Sequence, residues 1–328
     1  MSIKLDAYDK KLIYELDADS RQSASQLAKK VGISKQGCTY KIRILSERGV
    51  LKSCIAVLNT PLINYLSFRM YFKLIDITPQ QEEEFRGYLI SNNLIPWVVG
   101  CEGLWDYMIV VFSKDFTQFE DFNAGLNTKW GGYIERKEIA LVTEAHHFRS
   151  GYILGKKKDM PQLVYAGQPK EPIELNQEEK DILKILSLNA RMPLIEMQKK
   201  TGILAKNIAY RIDKLEKLNV IEGYTITVDY EKIGFERYKV FIRAKNLEQK
   251  KEKTFIQYSK MHPYILYYSR SIGANDVELE LIVRDSLHLR QVIAEIRSRF
   301  GDIIKSFETM KIHSEYKLNF YPWNASED

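Results

Sequence analysis

The sequence has few of the features that mark a metalloprotein, a nucleotide-binding enzyme or a membrane protein. Its 328 residues include three cysteines and no C-x-x-C pair, which excludes a disulfide framework and argues against structural zinc. It has no phosphate-binding or dinucleotide-binding glycine loop. Charges interrupt every apolar run well short of about 18 residues, and the N-terminus lacks a signal-peptide core. We therefore expect a soluble, cytoplasmic protein with no membrane partner.

The charge excess is also small. The chain has 49 Lys and Arg against 43 Asp and Glu, a net charge of +6, with 45% apolar and 28% charged residues. This balance is typical of folded globular domains rather than of a disordered chain. A net charge of this size favours a polyanionic partner only if the cations cluster on one part of the chain.

An internal repeat with a period of 170 residues runs through most of the chain. Twelve of the 48 positions from 5 to 52 are identical to the position 170 residues later, as in Gly32 and Gly202. Chance would give about three on average residue usage. The register continues without a gap to Glu138 and Glu308. Solenoid repeats have periods of roughly 20 to 50 residues, so this is a duplicated two-part unit.

In each unit the spacing of apolar residues changes once, from the period of a helix to the alternation of a strand. A segment rich in proline, glycine and lysine separates the two units. We divide the chain into a winged helix-turn-helix domain (1–60), a ferredoxin-like domain (61–152), a linker (153–172), a second winged helix-turn-helix domain (173–232) and a second ferredoxin-like domain (233–328). The predicted fold class is α+β.

The first part of each unit predicts three helices. Asp6 is a candidate N-cap of the first helix. Ser23 and Gln26 form a capping box for the second, which ends at Gly32, and Ser34 caps the third. The strand after the third helix takes the place of a wing. This is the helix-turn-helix layout, although the same pattern also fits a small packing module without a nucleic-acid partner.

Charge separates the two helical parts. Residues 1–58 have eleven Lys and Arg against six Asp and Glu, a net charge of +5. Residues 173–230 have nine of each and a net charge of zero. Because non-specific DNA affinity scales with the number of phosphates neutralised, we expect unit 1 to bind double-stranded DNA better than unit 2.

Two segments resemble a known family. LDAYDKKLIYELDADSRQSASQLAKKVGIS, near the start, and IEGYTITVDYEKIGF, at the end of the second helical part, are similar to the DNA-binding half of the Lrp/AsnC, or feast/famine, transcription regulators. The resemblance covers nearly all of both units. It implies a DNA-binding regulator whose third helix enters the major groove.

The predicted DNA-contacting residues lie on the third helices and at the start of the first wing. They are Lys35, Gln36, Thr39, Tyr40, Lys41, Arg43, Lys52, Lys206, Asn207, Tyr210 and Arg211. Unit 1 departs from the family at Gly37 and Tyr40. Unit 2 departs further, with Pro193 and Leu204 at two cap positions and Glu222 in the place of Lys52.

The second part of each unit predicts the order βαββαβ of a ferredoxin-like sandwich with one exposed sheet face. We expect the two sheets to pack face to face, so that one chain forms a pseudo-dimer, with further homo-oligomers left open. The resemblance implies a sensor domain for a small amino acid at a G-x-x-D loop, here Gly103 to Asp106 and Gly273 to Asp276. These loops equally fit plain hairpin turns.

Two other functions use the same sequence features. The sirohaem decarboxylases resemble these regulators in both halves, but they have an Arg/His-rich segment where this chain has WVVGCEGLWDYM and YYSRSIGANDVE. A sensor or oligomerisation protein that does not bind DNA would suit the neutral unit 2. His146 and His147 point to opposite faces of a strand, which argues against a shared metal ion. We expect a protein that is not an enzyme, with no catalytic residues, metal or cofactor.

Overall fold

The computed structural model describes residues 2–156, 162–165 and 171–323. Unit 1 contains the following helices and strands: α1 (Ala7–Ala18), α2 (Ala24–Val31), α3 (Lys35–Glu47), β1 (Leu51–Leu58), β2 (Leu66–Leu74), α4 (Pro79–Ser91), β3 (Trp97–Gly103), β4 (Tyr107–Ser113), α5 (Phe116–Trp130) and β5 (Ile134–His147). A short strand, β6 (Leu163–Tyr165), follows inside the predicted linker.

Unit 2 repeats this order. Its elements are α6 (Gln177–Leu188), α7 (Leu194–Thr201), α8 (Ala205–Lys217), β7 (Ile221–Val228), β8 (Glu236–Ala244), α9 (Gln249–Met261), β9 (Ile265–Gly273), β10 (Val277–Val283), α10 (Ser286–Phe300) and β11 (Ile304–Leu318). The predicted α+β fold, two tandem copies of a helical part and a βαββαβ part, is confirmed. We name the helical parts reader 1 (α1–α3) and reader 2 (α6–α8).

The caps predicted in reader 1 are present. The side chain of Asp6 accepts the Asp9 N–H at 2.7 Å, and Ser23 and Gln26 form a reciprocal capping box. Gly32 ends α2 at a φ of +87°, in the left-handed region that glycine favours. Ser34 Oγ accepts the Gly37 N–H at 3.0 Å. Local sequence therefore sets the helix boundaries of the reader.

The strand after each reader lies where the sequence predicts a wing, and it pairs with the equivalent strand of the other unit. β1 pairs antiparallel with β7 of the other unit, and together they form a two-stranded ribbon. Its last five residues in β1, 54–58, are all buried, although alternating burial is typical of a wing with one exposed face. The ribbon is covered on both faces because it lies between the readers and the sheet domains.

The two ferredoxin-like sheets close into one barrel. Their strands follow the order β2-β4-β3-β11-β8-β10-β9-β5, and β5 pairs back with β2. The joints between the units are the antiparallel pairs β3–β11 and β5–β9. The prediction of face-to-face packing within one chain therefore holds, with the addition that the sheet edges are hydrogen-bonded to each other.

Side chains alternate across the barrel wall into separate cores. One core joins the outer face of the unit 1 sheet to α4 and α5, and a second joins the unit 2 sheet to α9 and α10. A third contains the barrel interior, the ribbon and both readers. The readers are thus part of the same continuous core as the inside of the barrel.

Reciprocal hydrogen bonds relate the units by a pseudo-two-fold axis. The Ser20 N–H donates to the Tyr224 carbonyl at 3.3 Å, and the Ala190 N–H, 170 residues after Ser20, donates to the Cys54 carbonyl at 2.7 Å. The guanidinium of Arg21 donates to the Ala190 carbonyl, and that of Arg191 donates to the Ser20 carbonyl. The two readers therefore contact each other as the halves of a symmetric dimer would.

The linker is structured in part. Leu163 of β6 pairs with His147 at the end of β5 and is buried. Residues 157–161 and 166–170 of the predicted linker, including two of its three consecutive lysines, lie outside the described residues. Within the described ranges, no helix is long and apolar enough to cross a bilayer.

Candidate DNA interface and central cavity

The third helix of reader 1 presents one polar face to solvent. Lys35, Gln36, Thr39, Tyr40 and Arg43 are all exposed, while Cys38 and Leu45 on the opposite face are buried. This face has side chains that donate to phosphates and base edges. It is the face that a helix-turn-helix domain inserts into the major groove.

Two of these side chains contact each other. The Arg43 guanidinium lies 5.5 Å from the centre of the Tyr40 ring, and its Nη1 atom is 3.6 Å from a carboxylate oxygen of Glu47. Both contacts lie at the surface, where such pairs contribute little to stability. They hold Arg43 along the helix face, close to Tyr40.

Lys41, another predicted DNA contact, is only partly exposed and pairs with acidic residues at the start of the reader. Its ammonium group lies 2.7 Å from Asp6 and 2.8 Å from Asp9, so it joins α3 to the N-terminal cap of α1. The hydrogen bond from Lys41 lowers the pKa of Asp6. Arg211, its equivalent in unit 2, pairs in the same way with Glu178. Both cations therefore pair with carboxylates of their own reader, and their contact with DNA stays a prediction.

Reader 2 presents a different face. Lys206, Asn207 and Tyr210 are exposed as predicted, but Leu204 is 61% exposed at the N-cap of α8 and makes no side-chain cap bond. Asp213 stands 170 residues after Arg43 and pairs with Lys217 at 2.6 Å. An acidic group and an exposed leucine oppose phosphate binding at the positions that favour it in reader 1.

The two strands of the ribbon also differ in charge at equivalent positions. Lys52 is exposed at the start of β1. Glu222, its equivalent, is half-buried and accepts a hydrogen bond from the Asn59 amide at 2.8 Å. Burial raises the pKa of Glu222. Only the first of the two equivalent positions offers a cation to a ligand.

Both G-x-x-D loops are hairpin turns with a structural carboxylate. Asp106 accepts the Leu74 N–H at 2.7 Å, and Asp276 accepts the Ala244 N–H at 2.8 Å. Lys73 also lies 2.7 Å from Asp106. Gly103 and Gly273 have φ values of +108° and +120°. The two carboxylates each hold the end of a neighbouring strand, and their predicted contact with a ligand stays a prediction.

A cavity of about 100 Å³ lies where the ribbon meets the barrel. Ribbon residues such as Ile55 and Thr225 line one side, and barrel residues such as Val110, Lys239 and Glu280 line the other. The N-terminal reader also contributes, through Asp17 at the end of α1. Residues of both units and of both domain types therefore meet at one place.

Buried charges surround the barrel side of this cavity. Arg237 lies 2.8 Å from Glu280 and 2.7 Å from Glu315, and Lys239 lies 3.1 Å from Glu280. Arg69, which also lines the cavity, pairs with the buried carboxylate of Glu278. Burial opposes the charged form of Glu280, but Arg237 and Lys239 outweigh it and lower its pKa to about 2.

Sequence reasoning missed this cluster, although a signal was present. Glu278 and Glu280 alternate with apolar residues in VELELIV, where the equivalent strand of unit 1 reads YMIVVFS. Two acids at inward positions of a core strand predict buried partners.

The two adjacent histidines have separate environments, as the alternation of a strand requires. His146 bonds to Glu144 at 2.6 Å. His147 is fully buried, stacks on Tyr267 with ring centres 4.3 Å apart and lines the cavity. Burial lowers the pKa of His147 to about 4, which keeps the ring neutral at pH 7. The described residues contain no cluster suited to a metal ion.

Parts of the sequence match known proteins, and the whole fold matches a solved structure. A winged helix-turn-helix DNA-binding family matches residues 5–52 and again 175–222. The transcriptional regulator AzlB of Bacillus subtilis is 28% identical over 125 residues, which is 37% of this chain and 78% of that protein. The HTH-type transcriptional regulator LrpA of Pyrococcus horikoshii is 26% identical over 133 residues, 40% of this chain and 92% of LrpA. Each relative corresponds to one unit.

The solved structure of the siroheme decarboxylase NirDL matches the whole fold. It covers 98% of this chain and 95% of its own, with a TM-score of 0.63 and 12% sequence identity. The prediction that this protein is not an enzyme is therefore wrong as it was argued. The prediction relied on the lack of an Arg/His-rich segment in two strands, whereas an enzyme has the same two-unit fold over almost the whole chain.

Both halves of the chain contain a helical reader followed by a βαββαβ domain. The winged helix-turn-helix match lies on the reader in each half. The chain thus contains two winged helix-turn-helix units in tandem, and single-unit transcription regulators such as AzlB and LrpA are similar to one such unit.

Proposed function

We propose that the protein is a DNA-binding transcription regulator of the cytoplasm in which reader 1 makes the principal contact with double-stranded DNA. The observation that supports this most directly is the exposed face of α3 with Lys35, Gln36 and Arg43, at positions where reader 2 has Ala205, Lys206 and Asp213. The readers are held as a pseudo-symmetric pair, so reader 2 approaches the duplex when reader 1 binds.

The test is a binding titration with a labelled, AT-rich duplex from upstream of the protein's own gene, repeated over a range of salt concentrations. We expect Lys35→Ala and Arg43→Ala each to weaken binding by about 1 to 3 kcal/mol if they contact bases. If they contact phosphate, each lowers the slope of log K against log salt by about 1.

The matched control is Lys206→Ala, an exposed lysine of α8. We expect it to change the affinity much less, because Asp213 and Leu204 are its neighbours on that helix face. Equal losses from Lys206→Ala and Lys35→Ala would contradict the asymmetry. Full affinity in both reader 1 variants would contradict the proposed DNA interface.

We further propose that a small amino acid regulates DNA binding. Support comes from the domain that follows each reader, which has the sheet architecture and the G-x-x-D loops on which the sequence analysis based a sensor. Asp106→Ala and Asp276→Ala, screened by thermal shift against the twenty amino acids, test the loops as the site. A ligand whose stabilising effect survives both substitutions binds elsewhere.

A second candidate function is chemistry on a tetrapyrrole, favoured by the near full-length fold likeness to NirDL. The cavity of about 100 Å³ is small for such a macrocycle, so this function requires the ribbon to move away from the barrel. Mixing the protein with an iron uroporphyrin should then shift its absorbance, and incubation with sirohaem should lower the mass of the sirohaem by that of CO₂ for each carboxylate lost. An unchanged spectrum and mass would contradict this candidate.

A further inference from the structure

Reader 2 exposes three large apolar side chains. Ile195 at the start of α7, Leu204 at the N-cap of α8 and Tyr210 within α8 are each 60% exposed or more. The Ala205 N–H donates to the side-chain oxygen of Gln198 at 2.8 Å, which holds the start of α8 against α7. Single exposed apolar residues are normal in folded proteins, but several on one small domain mark an interaction surface.

Two of these side chains are specific to reader 2. Reader 1 has an exposed serine at each equivalent position, Ser25 in the place of Ile195 and Ser34 in the place of Leu204. Both readers have the same three helices, so the fold does not require apolar residues at these positions. The change removes hydroxyl groups that can donate to phosphate and adds surface that gains free energy on burial.

One stripe of α8 combines an apolar centre with opposite charges at its two ends. Its residues follow the spacing of a single helix face and are all exposed: Lys206, Ala209, Tyr210 and Asp213. The two charged residues lie about 10 Å apart along the helix. Ala209 takes the place of Thr39 of reader 1, and its short side chain allows another helix to approach closely.

This stripe is complementary to itself. The midpoint between Lys206 and Asp213 lies between Ala209 and Tyr210. Two copies of α8 that pack antiparallel around a two-fold axis at this midpoint place Lys206 of each chain opposite Asp213 of the other. The contact then has two ion pairs, one on each side of an apolar centre.

Reader 1 does not have this property. Its equivalent residues are Gln36 and Arg43, so the same packing of two α3 helices brings no anion opposite the arginine. The helical parts also differ in net charge, which is +5 for residues 1–58 and zero for residues 173–230. Two copies of reader 1 therefore repel each other, whereas two copies of reader 2 do not.

Asp213 already has a partner in its own helix. The Lys217 ammonium group lies 2.6 Å from its carboxylate, and both side chains are largely exposed. An exposed pair of this kind contributes little to stability. Asp213 can therefore exchange it for a lysine of a second chain at little cost.

The size of the surface limits the strength of the contact. Helix α8 has 13 residues and is about 20 Å long. An interface made of this helix and the start of α7 is at the small end of the range for specific complexes, about 1,200 Å² in total. We expect a dissociation constant on the order of micromolar.

We propose that reader 2 is a docking surface for a second copy of this chain, formed by antiparallel contact of the two α8 helices around Ala209 and Tyr210. The pair of chains forms in the absence of DNA, because it covers the face that reader 2 would turn to a duplex. The contact is separate from the pairing of reader 1 with reader 2 inside each chain.

Sedimentation equilibrium of the full chain without DNA, from about 1 to about 500 µM, tests this contact. We expect the wild type to dimerise. Asp213→Arg introduces the residue of reader 1 and should raise the dissociation constant about ten-fold or more, because two cations then face each other at both ends. The matched control is Asp121→Arg, the same change of charge at an exposed position of α5, which should leave the dissociation constant unchanged.

Two further variants separate the interface from the stability of the fold. The double variant Lys206→Asp with Asp213→Lys restores opposite charges in the reverse order, and we expect it to dimerise like the wild type. Leu204→Ser supplies the N-cap that α8 lacks, so it should raise the Tm and still raise the dissociation constant several-fold.

A chain that stays monomeric at the highest concentration would overturn the proposal, and a change in the DNA affinity of that monomer on Leu204→Ser would assign the face to DNA instead. A dissociation constant that is unchanged in folded Asp213→Arg, or a double variant as weak as Asp213→Arg, would also overturn it. Should Asp213→Arg fail to fold, the double variant and Leu204→Ser provide the same test. The measurement contains no DNA, so its outcome is independent of the proposed function.

Discussion

The stability of the protein should depend on pH through Glu280. Its carboxylate lies 2.8 Å from Arg237 and 3.1 Å from Lys239, and its pKa is lowered from 4.5 to about 2. At about 1.36 kcal/mol for each tenfold change in proton affinity, this corresponds to about 3 kcal/mol of stability at pH 7. Because the unfolded chain binds the proton first, the contribution is complete above pH 4.5 and is lost as the pH falls towards 2.

The perturbation is Glu280→Gln, which keeps the shape of the side chain and removes its charge. We expect the free energy of unfolding at pH 7 to fall by about 3 kcal/mol, because Arg237 and Lys239 lose a buried counter-charge. The difference in free energy of unfolding between wild type and variant should decrease as the pH is lowered, and more than half of it should be lost by about pH 3. Urea unfolding followed by circular dichroism at several pH values measures the gap directly.

Other carboxylates titrate over the same range, so the comparison needs a control. Glu120 is exposed on α5, and Glu120→Gln should stay within about 0.5 kcal/mol of the wild type at every pH. If wild type and Glu280→Gln differ in free energy of unfolding by the same amount at pH 7 and at pH 3, Arg237 and Lys239 do not hold Glu280 ionised, and the prediction is wrong.

Three further outcomes can be checked with single substitutions or reagents. Leu204→Ser supplies the missing N-cap of α8 and should raise the stability of reader 2 by about 1 kcal/mol in thermal unfolding. Gly273→Ala should destabilise the barrel strongly, because the added Cβ would lie 2.5 Å from a carbonyl oxygen of the neighbouring strand, whereas Gly87→Ala on α4 meets open space and should be neutral or stabilising. Burial raises the pKa of Cys54 to about 11 and that of Cys101 to about 12, so neither thiol should react with a disulfide reagent at pH 8 until the protein is unfolded.

Elements set by local sequence were predicted well. The sequence predicts helices over 79–91 and 116–130, and α4 and α5 have these bounds, because proline, capping residues and apolar spacing lie within a few residues of each other. Two strands are longer than predicted. The alternation of apolar residues predicts strands over 134–143 and 304–312, whereas β5 continues to His147 and β11 to Leu318.

The reason is the same in both cases. The added residues pair with the other unit, as His147 does with Tyr267 and Leu318 with Trp97. No local pattern reports a partner that lies more than a hundred residues away along the chain. The pairing of β1 with β7 escapes prediction from the sequence for the same reason.

The candidate sites also contain residues that the sequence predicts and residues that it does not. Helical spacing correctly predicts that Lys35, Gln36 and Arg43 share an exposed face. Spacing alone does not reveal that Lys41 is held by two acids of another helix, since that depends on how α1 packs on α3. The central cavity depends on both units and on the ribbon, so its residues come from positions 17 to 320 and form no motif.

The reciprocal contacts between the readers have a consequence for how the protein responds to dilution. In a homodimer the paired arrangement dissociates as the protomer becomes scarce, and DNA affinity depends on subunit concentration. Here both readers belong to one polypeptide, so their pairing is first-order and independent of copy number. A few molecules per cell suffice to keep every reader paired. Under the proposed function, the difference in charge between the two readers would make each molecule bind its site in one direction and give the complex a polarity along the duplex.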